Sequence, residues 1–158
     1  ILPAIKEAGL KYDSSYLLPF QPHLRPFDAM WNVTELPIYY MDHLDLVNGL
    51  TSFDLTELKA DSQGMKIFNF HPQLFFLNSP DDAHYQKSKP NYNDAELLLK
   101  QRHKGKGVRN LTLDLLDHLA VRDDPPVTML ELANAWDLQN NKGEGEGSET
   151  KYRNKLND

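Results

Sequence analysis

His71 is the residue of this sequence with the clearest potential for chemistry. It lies in the stretch GMKIFNFHPQLFFLNSP, which runs from Gly64 to Pro80. The β-branched and aromatic residues between Met65 and Phe70 predict a strand that is mostly buried on both faces. Because Pro72 cannot donate to a strand ladder, the strand should end here and leave the His71 imidazole at its carboxyl edge. Ligands bind and reactions occur at that edge in α/β sheets and barrels, although a single His at such a position is more often structural.

A second group of polar side chains follows the segment VTELPIYY, which predicts a strand over residues 33–40. Pro37 lies inside this segment and indicates an edge position or a bulge. Directly afterwards, MDHLDL places Asp42, His43 and Asp45 close together. Asp42 is interpreted either as a functional carboxylate or as a loop residue that caps a backbone turn. His43 and Asp45 are expected to face solvent.

Composition excludes several classes of function. The formal net charge of −6 and the lack of a basic patch argue against nucleic-acid binding. No apolar run approaches the roughly 18 residues that a membrane-spanning helix needs. The chain has no Cys, so disulfides, Cys-based zinc sites and Cys nucleophiles are excluded, and the cellular compartment stays undetermined.

The remaining pattern alternates strands with helices, which predicts an α/β fold with a parallel sheet or part of a barrel. Four helices are predicted. The first runs from Leu2 to Ala8 and the second begins at about Asp94. The third covers residues 110–121, where Leu repeats at one-turn spacing, and the fourth follows the capping box Thr128-x-x-Glu131. The polar stretch DDAHYQKSKPNYN after Pro80 is expected to be a loop. Residues 1–137 are assigned to one domain, and residues 138–158 are expected to be a disordered polar tail.

Four blocks occur in an order that resembles the polysaccharide deacetylase (NodB-homology) superfamily, specifically its C-terminal half. They are LPAIKEAGLKYDSSY, ELPIYYMDHLDL, FNFHP and GKGVRNLTLDLLDHL with PPVTMLELA. The FHP segment followed by LNS is most similar to the WbmS-like deacetylases. The resemblance covers roughly residues 1–135 and implies the C-terminal part of a distorted (β/α) barrel of about seven strands.

The resemblance also implies a chemistry, which is hydrolytic removal of acetyl groups from N-acetylated sugars of a surface polysaccharide. A divalent metal, most commonly zinc, activates a water in such enzymes, and a late His protonates the leaving amine. By this resemblance, His71 would be the general acid and Asp42 the acidic partner that orients it. Glu35 and Tyr40, in the same strand block, are candidates for substrate binding, and Trp31 is a third candidate because an aromatic face can stack on a sugar ring.

The metal-binding motifs of the family lie upstream of the first residue of this sequence, and the six His residues show no ligand-type pair on one face. The chain lacks an initial Met and a visible signal peptide, and ILPAIKEAGL predicts a helix already in progress. We therefore expect a fragment that holds no metal by itself and is inactive alone, with the metal bound in the complete domain. An exposed strand edge would favour association with a missing N-terminal half of the domain or with a second copy of the chain.

Two hypotheses about function remain open at this point. The first is a portion of a metal-dependent carbohydrate deacetylase that acts on an acetylated glycan. The alternative is a non-catalytic glycan-binding or assembly module that keeps the fold without a metal site. Residues encoded before Ile1 would discriminate between them, because an Asp-Asp block and a His-x-x-x-His block there favour the enzyme.

Overall fold

The structure is a computed structural model, and it describes residues 2–140. Its helices are α1 (Leu2–Glu7), α2 (Asp42–Val47), α3 (Pro72–Leu77), α4 (Asp82–Ser88), α5 (Ala95–Gln101), α6 (Val108–Ala120) and α7 (Met129–Asn140). Its strands are β1 (Tyr12–Asp13), β2 (Phe27–Ala29), β3 (Val33–Glu35), β4 (Tyr40–Met41) and β5 (Phe68–Asn69). Short 3₁₀ helices cover Met30–Asn32, Leu55–Leu58 and Lys89–Asn91.

The described residues divide into two compact units. The first contains residues 2–40, 61–67 and 126–140, and the second contains residues 41–60 and 68–125. In the first unit, β3 is the central strand of a three-stranded sheet with the order β1-β3-β2. β3 pairs with β1 in parallel and with β2 in antiparallel orientation, and all three of its residues are buried.

The strand predicted over residues 33–40 is wrong as a single element. β3 ends at Glu35, before Pro37, and β4 begins only at Tyr40. The physical reason is the proline, which has no N–H to continue a ladder. Leu36, Ile38 and Tyr39 are nevertheless buried between the two strands, so the apolar run correctly indicated core.

The strand predicted from Met65 to Phe70 is also shorter than expected. Only β5 is extended and paired, in a two-stranded sheet with β4, and its residues are half-buried rather than buried on both faces. Met65 instead donates its N–H to the Leu24 carbonyl, and the Ile67 carbonyl accepts from the backbone of residues 39 and 40. Loop contacts thus replace the ladder over the first half of the predicted strand.

The loop predicted after Pro80 is wrong, because α4 forms there. Asp81 caps this helix by accepting a hydrogen bond from the N–H of His84 at 2.7 Å. Asp is a favoured N-cap because its carboxylate satisfies a helix N–H that has no partner within the helix. Polar composition therefore masked a short helix whose start was marked by its cap.

Several other elements are confirmed. α5 is capped by Asp94, and α6 begins two residues before the predicted start and buries Val108, Leu111 and Leu115. The capping box before α7 is present, with Thr128 and Glu131 bonding to each other's backbone N–H at 2.7 and 3.2 Å. α7 continues through Asn140, so residues 138–140 of the predicted tail are helical. Residues 141–158 lie outside the described residues.

Asn78 joins three segments of the second unit. It follows α3 in a left-handed conformation (φ 50°), and its side-chain amide donates to the carbonyls of His103 and Gly105 at 3.0 and 2.8 Å. Its side-chain oxygen accepts from the N–H of Arg109 in the first turn of α6 at 3.0 Å. The end of α3 is thereby fixed to α6, and α3 is the helix that His71 precedes.

Candidate functional site

Two strand ends bring Asp42 and His71 together. Asp42 is the first residue of α2 and follows β4 directly, while His71 lies between β5 and α3. His71 has an extended backbone (φ −85°, ψ 125°), as expected for a residue before proline, and Pro72 starts the helix. Because β4 and β5 pair with each other, residues that leave them at the same end become neighbours.

The contact between these two residues uses both oxygens of the carboxylate. Asp42 Oδ1 lies 2.5 Å from His71 Nδ1, and Asp42 Oδ2 accepts a hydrogen bond from the His71 backbone N–H at 2.8 Å. Oδ1 also accepts from the backbone N–H of His43 at 2.7 Å. The Asp42 side chain is 0% exposed, whereas that of His71 is 35% exposed. A buried acid therefore holds a partly accessible imidazole.

This arrangement decides what the imidazole can do. A carboxylate beside Nδ1 favours the proton on that nitrogen and stabilises the positive charge that appears when the ring takes up a second proton. Since Nδ1 is hydrogen-bonded to the fully buried Oδ1 of Asp42, Nε2 is the ring nitrogen that can contact a substrate. The geometry suits an imidazole that donates or accepts a proton at Nε2.

Burial raises the pKa of the Asp42 carboxyl above its ordinary value of 3.8, although the hydrogen bonds from His71 and His43 act to lower it. We expect a carboxyl ¹³C NMR titration to give Asp42 a midpoint above 3.8. Asp54 is the internal control, because hydrogen bonds from Thr56 hold the pKa of its exposed carboxyl below that value. A midpoint for Asp42 at or below that of Asp54 would contradict the role of burial.

The raised pKa of Asp42 also determines how its contribution to protein stability changes with pH. The folded protein holds the Asp42 proton more tightly than the unfolded chain, because the folded-state pKa is the higher one. The contribution of Asp42 to the free energy of unfolding is therefore greatest below its unfolded-state pKa of about 3.9, and it falls as pH rises through the raised folded-state pKa. The Asp42→Asn variant should lack this component of the pH dependence.

Residues 1–89 match the family model of the WbmS-like polysaccharide deacetylases. This segment is more than half of the 158-residue chain, and it includes both Asp42 and His71. The chain belongs to this family. The resemblance found in the sequence blocks is confirmed.

A solved structure has a similar fold. It is WbmS from Bordetella bronchiseptica, which is described as a candidate polysaccharide deacetylase involved in O-antigen biosynthesis. The TM-score is 0.67 at 23% sequence identity, and the match covers 75% of this chain but 50% of the WbmS chain. At this identity the match shows the fold, which is α/β and similar to that of a polysaccharide deacetylase. No curated protein sequence matches this chain.

The described residues of this WbmS-like chain do not form a binding site for a metal ion. Among residues 2–140, no three His, Asp or Glu side chains lie together in a group that could hold one. No catalytic step is therefore assigned to a metal here. Over the same residues, no helix is long and apolar enough to cross a membrane.

Glu35, Trp31 and Tyr40, the predicted substrate-binding residues of this WbmS-like protein, have different surroundings within the first unit. Glu35 is fully buried, and its Oε1 accepts from the N–H groups of Ser15 and Tyr16 at 3.1 and 3.0 Å. Tyr40 is 2% exposed, whereas Trp31 is 54% exposed. Glu35 thus holds the turn after β1, and Trp31 alone of the three presents a large aromatic surface. Their binding roles stay predictions.

The sequence did not indicate that the His43 ring contacts the ring of His71. His43 was expected to face solvent, and its side chain is indeed 37% exposed, but its ring also contacts the rings of His71 and Tyr85, at centroid distances of 5.6 and 5.4 Å. Tyr85 and Asp82, the two residues of α4 beside His43, were missed because that helix was predicted as a loop. The cap signal at Asp81 was the one feature that could have revealed them.

Proposed function

We propose that this chain carries the proton-donating part of a hydrolase that removes acetyl groups from N-acetylated sugars of a surface polysaccharide. The single observation that supports it most is the buried Asp42 carboxylate bonded to Nδ1 of a His71 ring that remains partly exposed. Membership of the WbmS-like polysaccharide deacetylase family supports the class of reaction. The residue roles are those of general acid for His71 and orienting carboxylate for Asp42.

Amide chemistry explains why such a pair is useful. Attack on an acetamide carbonyl gives a tetrahedral species, and its C–N bond breaks readily only when the nitrogen is protonated, since an amide anion is a poor leaving group. An imidazolium with Nδ1–H directed at Asp42 can transfer its Nε2 proton to that nitrogen. The ring returns to its neutral form and keeps the remaining proton on Nδ1, which continues to donate a hydrogen bond to the Asp42 carboxylate.

The group that activates the attacking water is not assigned to any of residues 2–140. We propose that a divalent metal, with zinc as the first candidate, is held by other residues of the complete domain and supplies this activation when bound. The five short strands would then belong to a larger distorted (β/α) barrel of about seven strands. On this proposal the chain alone is inactive or nearly so.

The test uses tri-N-acetylchitotriose as the probe and chitotriose, which has free amines in place of acetamides, as its matched control. Histidine-labelled chain is titrated with each sugar while ¹⁵N NMR follows His71, and acetate release is measured in the same samples with and without zinc. We expect the acetylated sugar to perturb His71 more than the amine does. Acetate should be released only by the complete protein.

Three other outcomes would each contradict a different part of the proposed function. Perturbation of the His71 signals without acetate release by the complete protein would favour the glycan-binding or assembly module. Equal responses to both sugars would show that the acetamide is not recognised. No response to either sugar, together with no acetate release by the complete protein, would overturn this acetamide substrate.

A further inference from the structure

The contacts with Asp42 restrict where Nε2 of His71 points but leave a range of directions. A single ring hydrogen bond fixes the distance from Nδ1 to Oδ1, which is 2.5 Å here. The ring can still swing over a limited range about the Cα–Cβ and Cβ–Cγ bonds, because a hydrogen bond stays favourable over a range of donor angles above about 150°. A proton donor must be held within a narrow range of directions to act efficiently. A contact on the face of the imidazole would narrow that range.

His43 makes that contact. Its ring lies 5.6 Å from the ring of His71, centroid to centroid, with an angle of 68° between the planes. This is an edge-to-face arrangement within the distance range favoured by aromatic pairs. His43 also directs its backbone N–H to Asp42 Oδ1 at 2.7 Å. One residue thus contacts both the carboxylate and the imidazole of the pair.

His43 is in turn held from the side of α4. The ring of Tyr85 lies 5.4 Å from it at an angle of 64°, and Asp82 Oδ1 lies 3.8 Å from His43 Nε2. His43 Nε2 is buried and has no hydrogen-bond partner, since 3.8 Å exceeds hydrogen-bond length. Two neighbours on one helix thus restrict the ring, and Asp82 attracts it when it is charged.

We propose that His43 is a positioning residue that holds the plane of the His71 imidazole and so directs Nε2. The catalytic meaning of this inference rests on the proposed function, whereas the contact between the rings does not. The flat ring of His43 supplies the restraint on His71, and the nitrogen atoms of His43 take no part in that ring contact. A Phe at this position should therefore replace His43, and an Ala should not.

The experiment compares His43→Ala with His43→Phe in histidine-labelled protein. NMR couplings of His71 report whether its ring has one orientation or several, and a thermal melt checks that each variant is folded. We expect one orientation in the wild type and in His43→Phe, and several in His43→Ala. If His43→Ala does not fold, His43→Leu takes its place, because Leu keeps much of the volume without a flat ring.

In the complete protein with tri-N-acetylchitotriose, His43→Ala should lower kcat for acetate release by about tenfold and change KM by less than about twofold, because orientation affects the chemical step. His43→Phe should recover most of this loss. A single His71 orientation in the folded Ala or Leu variant would overturn the proposal. It would equally be overturned by a Phe variant with the same disorder as Ala.

The two proposals fail in distinguishable ways. If replacement of His71 leaves acetate release unchanged while His43→Ala frees the His71 ring, the proposed function fails and the positioning role stands. If the His71 ring is unaffected by His43→Ala while replacement of His71 abolishes turnover, the positioning role fails and the general acid stands.

Discussion

Replacement of His71 by Asn is expected to lower kcat for acetate release by the complete protein by about 10²-fold or more, which is the usual contribution of a positioned general acid. Asn is chosen because its amide nitrogen can take the place of Nδ1 toward Asp42, 2.5 Å away, while nothing replaces Nε2. The variant thus removes the proton donor and retains the buried hydrogen bond. Turnover is followed by acetate release, with metal content measured in parallel.

Two matched variants sharpen the test. His118→Asn makes the same chemical change at a half-buried position in the last turn of α6, in none of the contacts of Asp42 or His71 described above, and should leave kcat within about twofold of the wild type. Asp42→Asn keeps the His71 ring but removes the carboxylate that stabilises its charged form, so its loss should approach that of His71→Asn. Unchanged turnover in His71→Asn would refute the general-acid assignment.

Replacement of Gly107 by Ala is expected to lower the free energy of unfolding by about 3 kcal/mol, at the upper end of the usual cost of overpacking. A Cβ at this position would lie 2.3 Å from the backbone oxygen of Asn78 and 2.6 Å from its side-chain oxygen. A backbone atom cannot move aside as a flexible side chain can. The clash would also disturb the bonds of Asn78 to His103, Gly105 and Arg109.

Gly105→Ala is the matched control in the same loop. Its Cβ would meet Nε2 of His103 at 2.6 Å, which is the far end of a side chain that can rotate away. We expect its effect on urea unfolding to be less than about 1 kcal/mol. Equal losses in the two variants would show that the Asn78 contact is not what makes Gly107 necessary. NMR of His71 in Gly107→Ala would report whether the disturbance passes through α3 to the site.

The position of His71 was predictable because its causes are local. Pro72 disfavours helix at the preceding residue, so the end of the strand at His71 could be inferred from adjacent residues, whereas the helix α3 that Pro72 begins was not predicted. α6 was predictable for a similar reason, since its Leu residues repeat at one-turn spacing. The start of α4 was marked only by its Asp81 cap, and the polar composition around it predicted a loop.

The neighbours of His71 were less predictable, because they depend on which elements pack together. Asp42 is 29 residues away in the sequence, and only the family resemblance suggested it as a partner. The ring contacts of His43 follow from the packing of α2 beside α4, which no local pattern encodes. A short polar segment such as MDHLDL is compatible with solvent exposure until the opposite helix is known.

The sequence by itself determined the family, the α/β class and the imidazole at a strand end, since each depends on residue types and on their order along the chain. The tertiary structure alone decided that a fully buried carboxylate holds that imidazole, and that a second His packs against it. It also decided that Glu35 supports a turn with its Oε1 while Trp31 remains exposed. The physical reason is that burial and hydrogen-bond partners are set by long-range packing, and residues of similar local sequence differ in both.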